Sequence, residues 1–380
     1  MKIVYVHDAL ARIGGLERVL TDKLNYLAEV YNHDVYLITA AQGSHPHPFP
    51  LSPKVKHIDI DARYQIQYQY KYPKRLWVRW QINKRFKTNF KKVIETINPD
   101  IIIGNTYYKA DVICQLKCKA KKIIESHCAK SYTGKNDGTK RNAFIQLIYN
   151  IQLWHSNRIV QKKANAIVAL TQGDAQEWNL SNKFVIPNII TQIADTTSKL
   201  TSHDAIAIGR LTYQKGFDRL IDVWKIVSLK HPEYKLSIYG AGEMENMLHD
   251  KIIKYELENH IKIYPPAQYI YEKFKENSIF ILPSRYEGFG LVLIEAMTNG
   301  VPCISFDCPY GPSDIIKDGE NGFLIPNGDI QAMADKICYL MENDEIRKEM
   351  GRKAHLSAMR YAPENIMPMW EKLFNEIVKS

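Results

Sequence analysis

Residues 279–299 read IFILPSRYEGFGLVLIEAMTN, and their reading decides the fold. Ile279–Leu282 is a short apolar run without alternation, as expected of a parallel strand covered on both faces. Pro283–Gly290 forms a loop, and an apolar helical pattern follows over Leu291–Asn299. Strand, glycine-bearing loop and helix make one β-α unit. The unit recurs along the chain, with candidate strands at 3–6, 35–39, 101–104, 122–125, 166–170 and 184–186. They resume at 205–208, 235–239, 261–264, 279–282 and 303–305, with amphipathic stretches such as 16–31 and 217–230 between them. Repeated β-α units predict right-handed crossovers and doubly wound sheets.

The series breaks once, at 187–204, where Thr, Ser and Asn accumulate and periodicity fades, as in an interdomain linker. The sequence therefore predicts an α/β protein of two Rossmann-like doubly wound domains facing each other across a cleft. They are expected at 1–190 and 204–362, with the C-terminal helix of 363–380 packing back on the first. A length of 380 residues suits two such domains. Ligands are expected at the carboxyl ends of the strands, with hinges near 187–204 and before the last helix.

A hydrophobic content of 45% and a charged content of 24% are ordinary for a globular chain. No apolar run approaches the ~20 residues that span a bilayer. The opening MKIVYVHD reads as a strand rather than a signal peptide, so a cytoplasmic location is expected. Six cysteines at 114, 118, 128, 303, 308 and 338 include no CxxC pair, which predicts buried thiols rather than a zinc site. Charge is uneven: residues 1–190 hold 29 Lys and Arg against 14 Asp and Glu, and residues 191–380 hold 22 against 27. Two domains with different partners are expected.

Gly14-Gly15 stands between the first strand and the first helix. It reads equally well as a phosphate pocket at a helix N-terminus or as a plain turn. It is not GxGxxG, so a nicotinamide cofactor is not supported. Gly209-Arg210 and Lys215-Gly216 place a planar guanidinium and a point cation within one loop, the pair that a diphosphate wants. Glu287 lies between hinges of the 283–290 loop, where Gly288 and Gly290 let backbone amides face inward. Glu295 sits two turns down an otherwise apolar helix and needs a partner, which ribose hydroxyls would supply. Tyr239-Gly240-Ala241-Gly242 reads as a strand-to-loop turn beside a nucleotide, since Glu245 occupies the third glycine's place.

These motifs, in this order and with seven residues between Glu287 and Glu295, resemble glycosyltransferase family 4, whose members are retaining enzymes with the GT-B fold. The resemblance implies that Gly15 offers its backbone N–H to the distal phosphate, with Gly14 beside it in the donor-binding turn. Arg210, next to Gly209, and Lys215 would bind the diphosphate and stabilise it as it leaves. Glu287 would contact the transferred sugar near its C3 hydroxyl, and Glu295 the ribose. The amides of Gly288, Phe289, Gly290 and Leu291 would cradle sugar and phosphates. His127 matches the histidine that reaches the sugar's C6 hydroxyl. The segment Pro309–Ile316 matches a family variant in which Asp314 stands where glutamate is usual. One methylene less shortens its reach, and no role is assigned to it.

The implied reaction transfers a hexosyl or N-acetylhexosaminyl unit from a nucleotide diphosphate sugar, with UDP favoured by family habit, and needs no further cofactor. No Asp-x-Asp pair is placed to hold a divalent ion, and no second carboxylate is placed as a nucleophile, so a metal-independent front-face substitution is expected. A sugar-nucleotide epimerase of the same fold is the alternative, and a binding protein without turnover a third reading.

Residues 71–92 read KYPKRLWVRWQINKRFKTNFKK, nine cations and no acid. Apolar positions 76, 77, 80, 86, 90 and 94 recur near helical spacing. The expectation is a helix lying on an anionic membrane through Lys74, Arg75, Trp77, Arg79, Trp80, Lys84, Arg85 and Lys87. Packing of its aromatics on the first sheet is the competing reading. Nucleic acid is not expected, because no binding module accompanies the charge. In family terms the first domain holds the acceptor, so a lipid-linked oligosaccharide or a growing surface polysaccharide is implied, with the protein peripheral on the inner face of the membrane.

Overall fold

The computed structural model describes residues 1–11, 14–71, 73–106, 108–127, 130, 143–194, 196–267 and 270–379, the side chains of 143–145 excepted. Its first sheet comprises β1 (Lys2–His7), β2 (Asp34–Thr39), β3 (Lys56–Asp59), β4 (Ile101–Asn105), β5 (Lys121–Ser126), β6 (Ala166–Ala169) and β7 (Lys183–Val185), in the order 3-2-1-4-5-6-7. Every pairing is parallel. The helices are α1 (Gly15–Glu29), α2 (Lys74–Ile97), α3 (Ala110–Gln115), α4 (Ala143–Lys163) and α5 (Gln172–Glu177). The central strands read as unbroken apolar runs because helices cover both faces.

The second sheet comprises β8 (Asp204–Ile208), β9 (Lys235–Tyr239), β10 (Ile261–Tyr264), β11 (Ile279–Leu282), β12 (Cys303–Asp307) and β13 (Gly322–Pro326), again all parallel, in the order 10-9-8-11-12-13. Its helices are α6 (Phe217–Lys230), α7 (Glu245–Lys254), α8 (Ile270–Lys275), α9 (Leu291–Thr298), α10 (Pro312–Ile315), α11 (Ile330–Glu342) and α12 (Asp344–Ala358). The chain ends in α13 (Pro363–Lys379). Each sheet reverses its winding at its middle, between β1 and β4 and between β8 and β11. Strand ends part at such switch points and open a crevice.

Two expected features differ. The edge strands β3 and β13 escape the sequence reading: KHID is short and half-exposed, and GFLIP follows a glycine-rich turn without its own periodicity. The 187–204 segment is also no loose tether. Its Ile189 is buried with the first core and its Ile190 and Leu200 with the second. Helix α13 lies on the first sheet, where Trp370 and Phe374 pack with Leu20 and Leu24 of α1. The chain thus crosses between the sheets twice, and Ile190 N–H on one crossing donates to the Tyr361 carbonyl on the other at 3.0 Å.

α1 and α13 cover one face of the first sheet; α2, α3 and α4 share the other through Phe86, Phe90, Ile113 and Val160. The expected apolar face of α2 is therefore split. Phe86, Phe90 and Ile94 are buried against the sheet, whereas Leu76, Trp77 and Trp80 stay exposed. Val78 of the early turns is buried as well, and α2 also meets the short helical turn at Tyr64–Gln69. Among the described residues no helix is long and apolar enough to cross a membrane, and the five described cysteines are free thiols. Cys128 lies outside the described residues.

Candidate active site

Between the two sheets lies a cleft of about 490 Å³. Gly14, Gly15 and His127 reach it from the first sheet, and Gly209, Arg210 and Lys215 from the end of β8. Glu287, Gly288, Phe289, Gly290, Leu291 and Glu295 reach it from the end of β11 and from α9. Every residue that the sequence nominated for catalysis or donor binding thus borders one space. Tyr239, Gly240 and Ala241 line it as well.

The β8 and β11 loops are stapled together. Arg285 forks onto Asp218 at 2.7 and 2.6 Å and donates to the Tyr213 carbonyl at 2.8 Å. Its backbone N–H donates to the Gln214 carbonyl, and the Gln214 side chain returns a bond to the Tyr286 carbonyl. Gly216 closes the first loop at φ +70°, where a Cβ would overlap the Pro283 carbonyl. Gly290 takes φ +89° to start α9, bringing that helix N-terminus to the cleft.

This staple sets Lys215 on Glu287. The ammonium bonds to Oε1 at 2.7 Å, and Ser284 donates to the same oxygen at 2.6 Å. Among the described residues no donor bonds to Oε2, so a buried carboxylate keeps one oxygen for a ligand. Arg210 is exposed on the cleft wall, and no carboxylate among the described residues pairs with it. A guanidinium, an ammonium and two helix N-termini therefore meet around one volume, which is the charge pattern that binds an anion.

Three supporting residues were not anticipated. Arg18, one turn into α1, crosses the cleft to Glu295 at 3.1 Å and to the Tyr271 hydroxyl at 3.3 Å. Glu295 thus already has a partner. Burial pushes its carboxyl up and the Arg18 charge opposes that shift. Lys23 and Glu125 form a buried pair at 2.5 Å. The other Glu125 oxygen meets His127 Nε2 at 2.7 Å, fixing the imidazole at the cleft. Burial raises the Glu125 carboxyl, but Lys23 and His127 outweigh it and hold the group at about 2. Glu125 and His127 stand two apart at the end of a strand, a same-face spacing that could have revealed the pair; the Lys23 and Arg18 contacts span too much sequence to be read.

The Pro309–Ile316 segment lies where the domains touch. Tyr310 bonds to Glu177, and Asp314 accepts from the Gln172 N–H at 3.3 Å. On α2, Lys74, Trp77, Arg79, Trp80, Lys84, Arg85 and Lys87 are exposed and Arg75 half-buried. Arg85 is engaged by Asp61 at 2.8 Å. Among the described residues no three His, Cys, Asp or Glu side chains gather into a metal-binding group.

Comparison with known proteins agrees with this geometry. Residues 188–356 match the family model of glycosyl transferases group 1. The chain is 34% identical over 224 residues to the amylovoran biosynthesis glycosyltransferase AmsD of Erwinia amylovora, covering 56% of this chain and 62% of that one. It is 37% identical over 227 residues to the poly(ribitol-phosphate) alpha-N-acetylglucosaminyltransferase of Staphylococcus aureus, covering 56% and 44%. Neither relative is matched over two thirds of its length. The crystal structure of Anabaena HepE in complex with UDP-glucose superposes with a TM-score of 0.75 at 18% identity, over the whole of both chains. The epimerase alternative gains no support from these relatives. Residues 188–356 thus match the glycosyl transferases group 1 model, in a chain with the GT-B fold.

Proposed function

We propose that this protein is a retaining glycosyltransferase that moves a hexosyl or N-acetylhexosaminyl unit from a UDP-sugar to a lipid-linked or surface-polysaccharide acceptor. The observation that carries the reading is the meeting of Arg210, the Lys215–Glu287 pair and the N-termini of α1 and α9 around one cleft. HepE, which shares the fold, was crystallised with UDP-glucose, and the Erwinia and Staphylococcus relatives are named an amylovoran biosynthesis glycosyltransferase and a poly(ribitol-phosphate) alpha-N-acetylglucosaminyltransferase.

In this reading the diphosphate lies between Arg210, Lys215 and the amides at Gly15 and Gly290, so negative charge on the leaving group is met by groups already in place. The free Oε2 of Glu287 takes a hydroxyl of the transferred sugar, and His127, held by Glu125, takes another. The bond from the anomeric carbon to the β-phosphate oxygen breaks as the acceptor oxygen bonds from the same face. The departing phosphate accepts the acceptor's proton, and UDP leaves. No resident metal or cofactor takes part. The α2 residues hold the chain at the inner face of an anionic cytoplasmic membrane, beside the acceptor. A panel of sugar nucleotides scored for slow donor hydrolysis tests the reaction. One UDP-sugar is expected to be cleaved with retention, unaffected by a chelator; cleavage of none of them, or a trapped glycosyl-enzyme adduct, would overturn it.

A further inference from the structure

The geometry points to a two-helix membrane seat in which the N-terminal half of α4 joins that of α2 on an anionic lipid surface. This rests on the membrane part of the reading above and not on the transfer reaction. Both helices lie on the same face of the first sheet, through Phe86 and Phe90 of α2 and Val160 of α4. Both run against the strands. After α2 the chain reaches the start of β1, where Asp100 N–H donates to the Lys2 carbonyl. After α4 it reaches the start of β5, where Asn165 N–H donates to the Lys122 carbonyl.

Length does the rest. α2 has 24 residues and α4 has 21, about 36 and 32 Å at 1.5 Å per residue. The six-residue strands β1 and β5 beneath them run only about 20 Å. The early turns of both helices therefore overhang the carboxyl edge of the sheet, the edge that borders the cleft. There they present exposed apolar side chains, interleaved on α2 with cations and with the buried Val78. On α4, Leu147, Ile151 and Trp154 form an i, i+4, i+7 stripe that is 56%, 56% and 60% exposed, with Ile148 beside it. On α2, Leu76, Trp77 and Trp80 are more than half exposed.

Charge selects the occupant. α2 carries eight Lys and Arg before its single acid, Glu95, and supplies the charge of the early turns; α4 has no acid and its three cations, Arg158, Lys162 and Lys163, lie in its later turns. Cations lie over the aromatic faces: Lys84 over Trp80 at 5.4 Å, Arg158 over Trp154 at 5.3 Å, and Arg75 over the exposed Tyr68 at 4.3 Å. Trp and Tyr flanked by Lys and Arg suit the headgroup layer. A second copy docking by a two-fold axis would bring the same cations face to face, so this surface selects against itself and for anionic lipid.

The test is co-sedimentation of the full chain with vesicles of phosphatidylcholine, alone or mixed with phosphatidylglycerol. Binding is expected only to the mixed vesicles. The α4 triple variant Leu147→Ser, Ile151→Ser, Trp154→Ser should bind at least tenfold more weakly, as should the α2 double variant Trp77→Ser, Trp80→Ser, each with an unchanged melting temperature. If the α2 variant loses binding while the α4 variant retains it, the second helix is no part of the seat and this inference falls alone. Equal binding to both vesicle types, binding to neither, or a dimer in buffer that the α4 variant dissociates would overturn it together with the membrane reading. Donor hydrolysis by the unaltered chain in vesicle-free buffer scores the transfer reaction separately.

Discussion

Replacing Lys23 by Met probes how His127 is held. Lys23 and Glu125 keep 4% of their side-chain surface each and stand 2.5 Å apart. The Lys23 ammonium also lies 4.2 Å from the Trp370 ring centre. Lys23 and His127 hold the Glu125 carboxyl below the ordinary carboxylate range, which stabilises the fold at neutral pH, while burial lowers the Lys23 ammonium and offsets part of that gain. Because the folded value lies below the unfolded one, this contribution is complete above about pH 5 and fades as pH falls toward 2. Lys23→Met leaves a buried carboxylate without its main partner, a loss of about 3–5 kcal/mol in comparable pairs. At the lower figure, amides of β1 and β5 should exchange hydrogen roughly 150-fold faster at neutral pH. Peptides from β8 and β11 serve as the internal control. The double variant Lys23→Met, Glu125→Gln should regain most of the loss, since no charge is then stranded. Exchange in β1 and β5 as slow as in the unaltered chain, or a double variant whose loss equals the sum of the singles, would refute the coupling.

Further outcomes follow from the same contacts. Arg210→Ala and Lys215→Met should each lower donor hydrolysis roughly 10²- to 10³-fold, and full turnover in the doubly substituted chain would remove the basis of the proposed reaction. Arg18→Ala removes the charge that opposes the upward shift of Glu295, so the midpoint of UDP affinity against pH, followed by calorimetry, should move to higher pH. Gly216→Ala must place a Cβ at φ +70° against a carbonyl, which should destabilise the second domain by at least ~2 kcal/mol and raise the donor KM as Lys215 shifts. Urea denaturation and steady-state kinetics on one preparation check both effects.

The local signals in the sequence are the ones that survive in the structure. Apolar runs such as IFIL and AIVA became buried strands because helices cover both of their faces. Glycines beside strand ends became the cleft wall because only there does backbone approach a ligand space. What stayed illegible is long-range. Arg18 meets Glu295 across 277 residues and Lys23 meets Glu125 across 102, and no periodicity carries such pairs. Strand β3 is hidden for the opposite reason, since a half-exposed edge strand has no need of a continuous apolar run. In α2 the spacing of Trp77 and Trp80 was legible, but their separation from Phe86 depends on what packs beneath the helix.

The paired crossings at Ile190 and Tyr361 limit how the two halves of the molecule can travel. A body tied to its neighbour by one strand of chain can swivel in any direction; one tied by two adjacent strands, bonded to each other, turns mainly about the line they share. A swing about that line would have to part the Arg18–Glu295 and Tyr310–Glu177 contacts between the halves. In such a swing a residue's travel would grow with its distance from that line, so the cleft wall opposite the crossings would move furthest.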